Sequence, residues 1–339
     1  MPLRIVFCGT PEFAIPALQH LIAQPNIRVE GVVTQPDRPR GRGNEISISP
    51  VKTAALAAGI EVFQPVKVRA PESLEYFERV APDCVVIIAY GQIIPAKLIA
   101  VPRLGWINVH ASLLPKYRGA APINWAIVNG EKVTGLTTMQ IDAGLDTGPM
   151  LLRTELPIGP DEATPELSAR LARAGAPLIV ETLRRAETGK IAPEPQDNSQ
   201  ATFAPPLKKE DGLIDWKQSA TEIYNRIRGL QPWPGAYTSF RGKHCQIWGR
   251  LLTPQVVEAA HPREQTQVRV EPKAPVSLDA ESQLRTLPPG SIHASKFGVW
   301  VACGQGALWL DFVQLEGRKR VSAREFVNGA RLAPDEKFS

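Results

Sequence analysis

Residues 84–90, Cys-Val-Val-Ile-Ile-Ala-Tyr, form the longest uninterrupted apolar run in the chain. The run is far shorter than the ~18–20 residues a membrane-spanning helix needs. Bounded by Asp83 and Gly91, it reads instead as a strand buried on both faces, the mark of a parallel sheet with helices on either side. The flanking sequence agrees. Leu3–Phe7 predicts a strand, followed by a turn at Gly9-Thr10-Pro11, and Phe13, Ala14, Ala17, Leu18, Leu21 and Ile22 recur at helical spacing. Val29–Val33, Asp83–Ala89 and Gly105–His110 predict strands. Pro50–Ala58, with proline in its first turn, and Ser73–Val80 predict helices. Thr134–Ile141 and Pro149–Leu156 predict a strand pair around the Gly-rich turn 142–148, and Ala163–Arg185 a long amphipathic helix. Such alternation predicts an α/β, Rossmann-like domain over residues 1–190.

Composition shifts after that helix. Residues 191–207 (IAPEPQDNSQATFAPPL) are proline-rich and poor in large apolar side chains, which predicts a linker. Beyond it, residues 219–229 read as a helix, and Ala236–Phe240, Cys245–Leu252, Gly298–Cys303 and Ala307–Leu315 as short strands. A small β-barrel or sandwich over 208–330 is the prediction. Residues 254–289 are rich in Pro, Gln and Glu without sustained periodicity, and the middle of this stretch reads as a mobile loop inserted in the second domain. The net charge of +5 is concentrated here: residues 208–339 carry 19 basic and 14 acidic side chains. That bias fits a polyanionic partner as well as it fits an ordinary soluble surface.

The four cysteines include no CxxC pair, and the apolar stretch at the N-terminus is too short for a signal peptide. A reducing cytoplasm is the expected compartment. His20, His244, His261 and His293 show no metal-ligand spacing, so no metal is expected. Gly9-Thr10-Pro11-Glu12 occupies the place of a dinucleotide fingerprint but lacks its glycines, which argues against NAD. Trp106, Trp125 and Trp216 are expected to pack in the protein rather than stack on bases.

Asn108-Val109-His110-Ala111-Ser112-Leu113-Leu114-Pro115 carries the strongest chemical signal. Asn108 and His110 alternate with Val109, so both leave one face at the end of a strand, where α/β sheets bind ligands. An amide donor beside an imidazole suits an oxyanion formed in acyl transfer; a histidine that merely caps the strand fits the same residues. Asp142 and Asp146 offer carboxylates to His110, or serve only the turn that holds them. Thr34–Gly43 (TQPDRPRGRG) sets Arg38, Arg40 and Arg42 on a Pro/Gly frame, suited to phosphate or guanine edges and equally to an exposed soluble loop.

INVHASLLPKYRGAAPINWAIVNGE (107–131) together with DAGLDTG (142–148) resembles the formyltransferases that use 10-formyltetrahydrofolate. That superfamily includes enzymes acting on glycinamide ribonucleotide, on formyltetrahydrofolate itself and on methionyl-tRNA. TQPDRPRGRG, LKKEDGLIDW (207–216) and NRIRGLQPWPGAY (225–237) resemble the last group. The likeness spans nearly the whole chain. It fails around 260–287 and departs at Asn44-Glu45, where basic residues are expected.

The resemblance implies a fold and a set of roles. A Rossmann-like formyltransferase domain precedes a small OB-like β-barrel. Asn108, His110 and Asp146 act on the formyl group. Ser112, Leu113, Leu114 and Pro115, with Ala89, Tyr90 and Gly91, contact the folate. Arg38, Arg40 and Arg42 meet the acceptor end of the methionyl-initiator-tRNA, and Lys208, Lys209, Arg241, Lys243, Arg318, Lys319 and Arg320 its phosphates. A monomer acting without a metal is expected. The rivals are a formyltransferase for a small amine such as an amino sugar, and a folate- or RNA-binding module without catalysis.

Overall fold

The computed structural model describes residues 1–40, 45–253, 287–295, 298–333 and 336–339. The inserted stretch 254–286 and Arg42 lie outside the described residues. Two compact units emerge. The first holds residues 1–125, 132–159 and 165–206; the second holds 126–131, 160–164 and 207–339.

The first unit is built on a seven-stranded sheet. In chain order its elements are β1 (Leu3–Gly9), α1 (Ile15–Ile22), β2 (Ile27–Val33), a hairpin of β3 (Arg38–Arg40) and β4 (Glu45–Ser47), α2 (Pro50–Ala57), β5 (Val62–Phe63), α3 (Pro71–Val80), β6 (Cys84–Ile88), α4 (Ala96–Ile99), β7 (Trp106–His110), β8 (Arg118–Gly119), α5 (Pro122–Val128), β9 (Val133–Gln140), β10 (Met150–Pro157), α6 (Thr164–Glu187) and β11 (Phe203–Ala204). The strand order is β10-β9-β7-β6-β1-β2-β5. From β7 to β5 all neighbours are parallel, while β9 and β10 add an antiparallel edge. Every residue of β6 is buried, as its unbroken apolar sequence requires. Removing each such Val or Ile from water stabilises the fold by about 1.5–3 kcal/mol. One side of the sheet packs Val6, Cys8, Val85 and Trp106 against Tyr76 and Phe77 of α3. Trp106 is 1% exposed and donates its indole N–H to Leu98 O at 2.8 Å.

Residues 191–206, most of the segment read as a linker, belong to the first unit and are tied to it by hydrogen bonds. Met150 and Glu194 exchange backbone hydrogen bonds at 2.8 Å, and β11 pairs in parallel with β8, Phe203 opposite Arg118 and Ala204 opposite Gly119. Proline-rich composition signals an absence of regular structure, and here it marks an extended strap whose hydrogen bonds are made by the surface it crosses.

The second unit contains α7 (Ala220–Gly229), β12 (Tyr237–Phe240), β13 (Lys243–Leu251), β14 (Ile292–Ala294), β15 (Val299–Ala302), β16 (Ala307–Leu315), β17 (Val321–Ser322) and α8 (Ala323–Ala330). Its antiparallel strands run in the order β12-β13-β16-β15-β14, with β17 also on β16. Helix α7 opens with a capping box, Ser219 and Glu222 bonding each other's backbone N–H. The unit runs through Ser339. Phe338 is 2% exposed, stacked on Trp216 with centroids 5.6 Å apart, and Ser339 exchanges backbone bonds with Ser239. The unit also takes in residues 160–164: Tyr224 Oη donates to Asp161 Oδ1 at 2.8 Å and Thr164 Oγ1 to Gly229 O at 2.6 Å. All four cysteines are free and buried, and burial raises every thiol pKa.

Candidate active site

Strand β7 lies between β6 and β9, so Asn108 has backbone neighbours on both sides, Ile87 and Met139. This pairing fixes the direction of its side chain. Asn108 is half-buried, and among the described residues its amide has no hydrogen-bond partner. It is free to serve a ligand.

His110, on the same face, is 6% exposed. Its Nδ1 lies 3.6 Å from Asp146 Oδ2, an ion-pair distance, and its Nε2 lies 2.9 Å from Tyr117 O. Both ring nitrogens therefore face oxygen acceptors, and only the doubly protonated imidazole donates toward both. With both ring nitrogens facing protein oxygens, His110 offers a ligand no free N–H. The free N–H donors at this strand end belong to Asn108.

The two aspartates of the turn divide their work. Asp142 is the turn-former: its Oδ1 accepts from Gly144 N at 3.0 Å and Thr147 Oγ1 at 2.7 Å. Asp146 faces His110, and its Oδ2 also accepts from Gly119 N at 2.9 Å. Its backbone is left-handed, with φ 51°. A non-glycine residue in that region is sparsely populated and is held there by its surroundings. Gly119 has φ 120°, and a Cβ there would stand 2.6 Å from Ala204 O. Only glycine lets β8 run this close to β11.

The Ser112–Pro115 loop is bonded to β9. Thr137 Oγ1 donates to Ser112 O at 2.7 Å and accepts from Leu114 N at 3.1 Å. Ser112 is fully buried, its hydroxyl donating to Lys116 O, and Leu114 packs on Met139 and Met150. Those two side chains support the loop, leaving Leu113 and Pro115 half-buried. Beside β7, the end of β6 turns through Ala89 and Gly91, both at positive φ, and Tyr90 O accepts from Gln35 Nε2 at 3.0 Å. Ala89, Tyr90 and Gly91 line a cleft of about 810 Å³, together with Thr10, Gln35 and Arg38. The cleft sits at the carboxyl ends of β1, β2 and β6, where open α/β sheets take ligands.

The arginine loop is tied down at its base. Thr34 and Ser49 share a hydroxyl hydrogen bond of 2.8 Å, and Ser49 caps α2. Lys52 pairs with Asp37, which also accepts from Gln64 Nε2 at 2.9 Å. These donors hold the Asp37 carboxyl below its usual pKa. Arg38 is exposed and lines the cleft, and Arg40 belongs to β3.

In the second unit Arg241, Lys243, Arg318 and Lys319 ring a pocket of about 440 Å³ floored by Phe240 and Phe326. Arg241 is ion-paired with Glu336. Arg320 lies over the rings of Trp248 and Phe312, 5.2 and 5.0 Å from their centroids. Lys208 and Lys209 are exposed and do not line this pocket. Among the described residues no group of three or more His, Cys, Asp or Glu could hold a metal, and no helix is long and apolar enough to cross a membrane.

Sequence reasoning missed Gln196, which holds the Asp146 turn. Its Nε2 donates to Asp146 O and Gly148 O, each at 2.8 Å, and its Oε1 accepts from Arg118 Nε and Nη2 at 3.0 and 2.7 Å. Nothing in a polar, proline-rich stretch distinguishes this glutamine from its neighbours.

Comparison with known proteins identifies the family. The Formyl transferase family model matches residues 3–183, and the Formyl transferase, C-terminal domain model matches 206–331. A methionyl-tRNA formyltransferase from Solibacter usitatus is 52% identical, over 99% of this chain and 98% of its own. One from Geobacter metallireducens is 48% identical, over 98% and 97%. Among solved structures, an N-formyltransferase from Helicobacter canadensis, in complex with folinic acid and dTDP-3-aminofucose, superposes with TM-score 0.60 at 15% identity, covering 91% of this chain and 98% of its own; it shares the fold. Matched by both domain models and by relatives this similar over their full lengths, the chain belongs to the methionyl-tRNA formyltransferase family.

Proposed function

We propose that the protein transfers the formyl group of 10-formyltetrahydrofolate to the α-amino group of methionyl-initiator-tRNA, giving N-formylmethionyl-tRNA for translation initiation. The observation that carries the reading is the meeting of His110 and Asp146 at 3.6 Å, on the same strand end as the unpartnered Asn108 amide. The amine nitrogen attacks the formyl carbon, and negative charge builds on the formyl oxygen. The Asn108 amide donates to that oxygen, while the His110 imidazolium supplies positive charge beside it. The bond from the formyl carbon to N10 then breaks, its electron pair returning to N10. The proton lost by the amine goes to water or, within the His110–Asp146 pair, to the Asp146 carboxylate, and N10 takes up a proton as it leaves, giving tetrahydrofolate.

In this reading the folate rests on Ser112–Pro115 and the main chain of Ala89–Gly91. Arg38, Arg40 and Arg42 meet the acceptor end of the tRNA. Lys208, Lys209, Arg241, Lys243, Arg318, Lys319 and Arg320 meet phosphates. The protein acts as a cytoplasmic monomer.

The test mixes purified protein, 10-formyltetrahydrofolate and charged initiator tRNA and measures N-formylmethionine, with elongator methionyl-tRNA as control. Formylation of the initiator over the elongator supports the reading. Formylation of a nucleotide-linked amino sugar in place of either tRNA would reassign the acceptor.

A further inference from the structure

We propose that Gln196 is a positioning residue for formyl transfer: it holds the main chain of Asp146 in the strained conformation that delivers the carboxylate to His110. The proposal rests on the formyl-transfer reading and deepens it.

Gln196 is half-buried, and its amide is fully used. Both N–H bonds go to carbonyls of one turn, Asp146 O and Gly148 O at 2.8 Å each. Both oxygen lone pairs go to Arg118, at 3.0 and 2.7 Å. A primary amide offers two donors and two acceptor sites, and all four are satisfied here. The flipped amide would set its NH2 against the guanidinium and its oxygen against two carbonyls, so the network fixes the orientation.

Arg118 is unusual in its own right. It is 4% exposed, and among the described residues its guanidinium meets no carboxylate. Its neutral partners are Gln196 and Asn198, the latter at 2.9 Å. A buried cation without an anion is costly and persists where it organises its surroundings. Here it anchors a glutamine whose other end grips the Asp146 turn. The next residue, Gly119, donates to the Asp146 carboxylate, and Tyr117 O, one residue before Arg118, faces His110 Nε2. The strap repeats this grip on the backbone: Thr202 Oγ1 accepts from Tyr117 N at 2.9 Å, and Thr202 O accepts from Arg118 N at 2.9 Å. The His110–Asp146 pair is thus held from outside the sheet, by residues 196–204.

Charge distinguishes positioning from mere structural support. Gln196→Glu keeps an acceptor for Arg118 and gives it a carboxylate, so folding is preserved. The same change sets carboxylate oxygen against the carbonyls of Asp146 and Gly148. The expected result is a kcat about 10–100-fold lower, the cost of a misplaced reacting group, with KM for the folate unchanged. Combined with Asp146→Asn, the second change costs nothing further, because both act through one carboxylate. Gln196→Ala lowers kcat in the same way wherever it remains folded.

A crystal structure of the Gln196→Glu variant gives a readout independent of any assay. The His110 Nδ1 to Asp146 Oδ2 separation opens past about 4 Å, the limit of an ion pair. A Gln196→Glu enzyme with wild-type kcat, losses that multiply in the double variant, or an unchanged separation in the variant crystal would each overturn the proposal. A wild-type enzyme inactive on methionyl-tRNA would refute the proposed activity instead, and the crystal readout would still decide the role of Gln196.

Discussion

His110 Nδ1 lies 3.6 Å from the carboxylate of Asp146, although the two residues belong to different parts of the chain, one ending β7 and the other in the turn between β9 and β10. The register of β9 on β7 sets Gln140 opposite Ile107, at the start of β7, and bonds from Gly119 N and Gln196 Nε2 to Asp146 hold the turn that follows against His110. The left-handed backbone at Asp146 then swings its side chain toward the ring. The ring nitrogens of His110 thus face a carboxylate and a carbonyl.

Asn108 is the donor left free at this strand end. Asn108→Ala should lower kcat by about 10²–10³-fold, the usual cost of one oxyanion donor. KM for the folate should stay within a few-fold, because the interaction strengthens only as charge develops. Steady-state kinetics at saturating tRNA would check both.

Gly119→Ala meets two obstacles. Its φ of 120° is hostile to an L side chain, and the added carbon would stand 2.6 Å from Ala204 O. A strained position of this kind costs about 1–3 kcal/mol. Thermal melting should show the loss of stability. Activity should fall further than the melt alone explains, because the Gly119 N–H that moves is the one bonded to Asp146.

The cationic pocket of the second unit should report itself through salt. If Lys243, Arg318 and Lys319 contact phosphates, each alanine variant should weaken tRNA binding and reduce the slope of log K against log salt by about 1. Folate binding should be untouched. Filter binding across a salt series would measure the slopes, and slopes equal to wild type would remove these residues from the interface.

Arg42 is assigned to the acceptor end from the sequence. Arg42→Ala should lower kcat/KM for the initiator tRNA without altering folate affinity. Equal activity of this variant on the correct tRNA would refute that role.

Asp37 sets an acid limit on the base of the arginine loop. Lys52 and Gln64 lower its pKa in the fold. A carboxylate lowered in this way contributes stability above its unfolded value of about 3.9, and the contribution fades as pH falls through the lower folded value. Asp37→Asn should therefore reduce the melting temperature at neutral pH and converge with wild type in strong acid.

The strands and helices of the sheet were legible because their periodicity is strong. Cys84–Ile88 is buried as its unbroken apolar sequence requires, and the helix read over 163–185 is α6 at Thr164–Glu187. Asn108 and His110 share a face of β7 as their alternation predicts, while their chemical roles were read from the family resemblance and not from the spacing. The choice between Asp142 and Asp146 was not legible, since both suit a turn and only bonds from residues distant in sequence, Gly119 and Gln196, hold Asp146 against the ring. Helix α5 lies within a motif read for its chemistry and went unnoticed. Gln196, Arg118 and Phe338 were illegible because their importance comes from partners distant in sequence. A proline-rich composition gives no sign that a segment is held by a neighbouring loop.

That strap also bears on how the molecule can be dissected. Cutting the chain at residue 190, where composition first changes, would leave the sheet, the histidine and the aspartate in the fragment but strip away Gln196, Thr202 and β11. A catalytic half prepared for separate study should therefore run through Pro206, the last residue of the first unit.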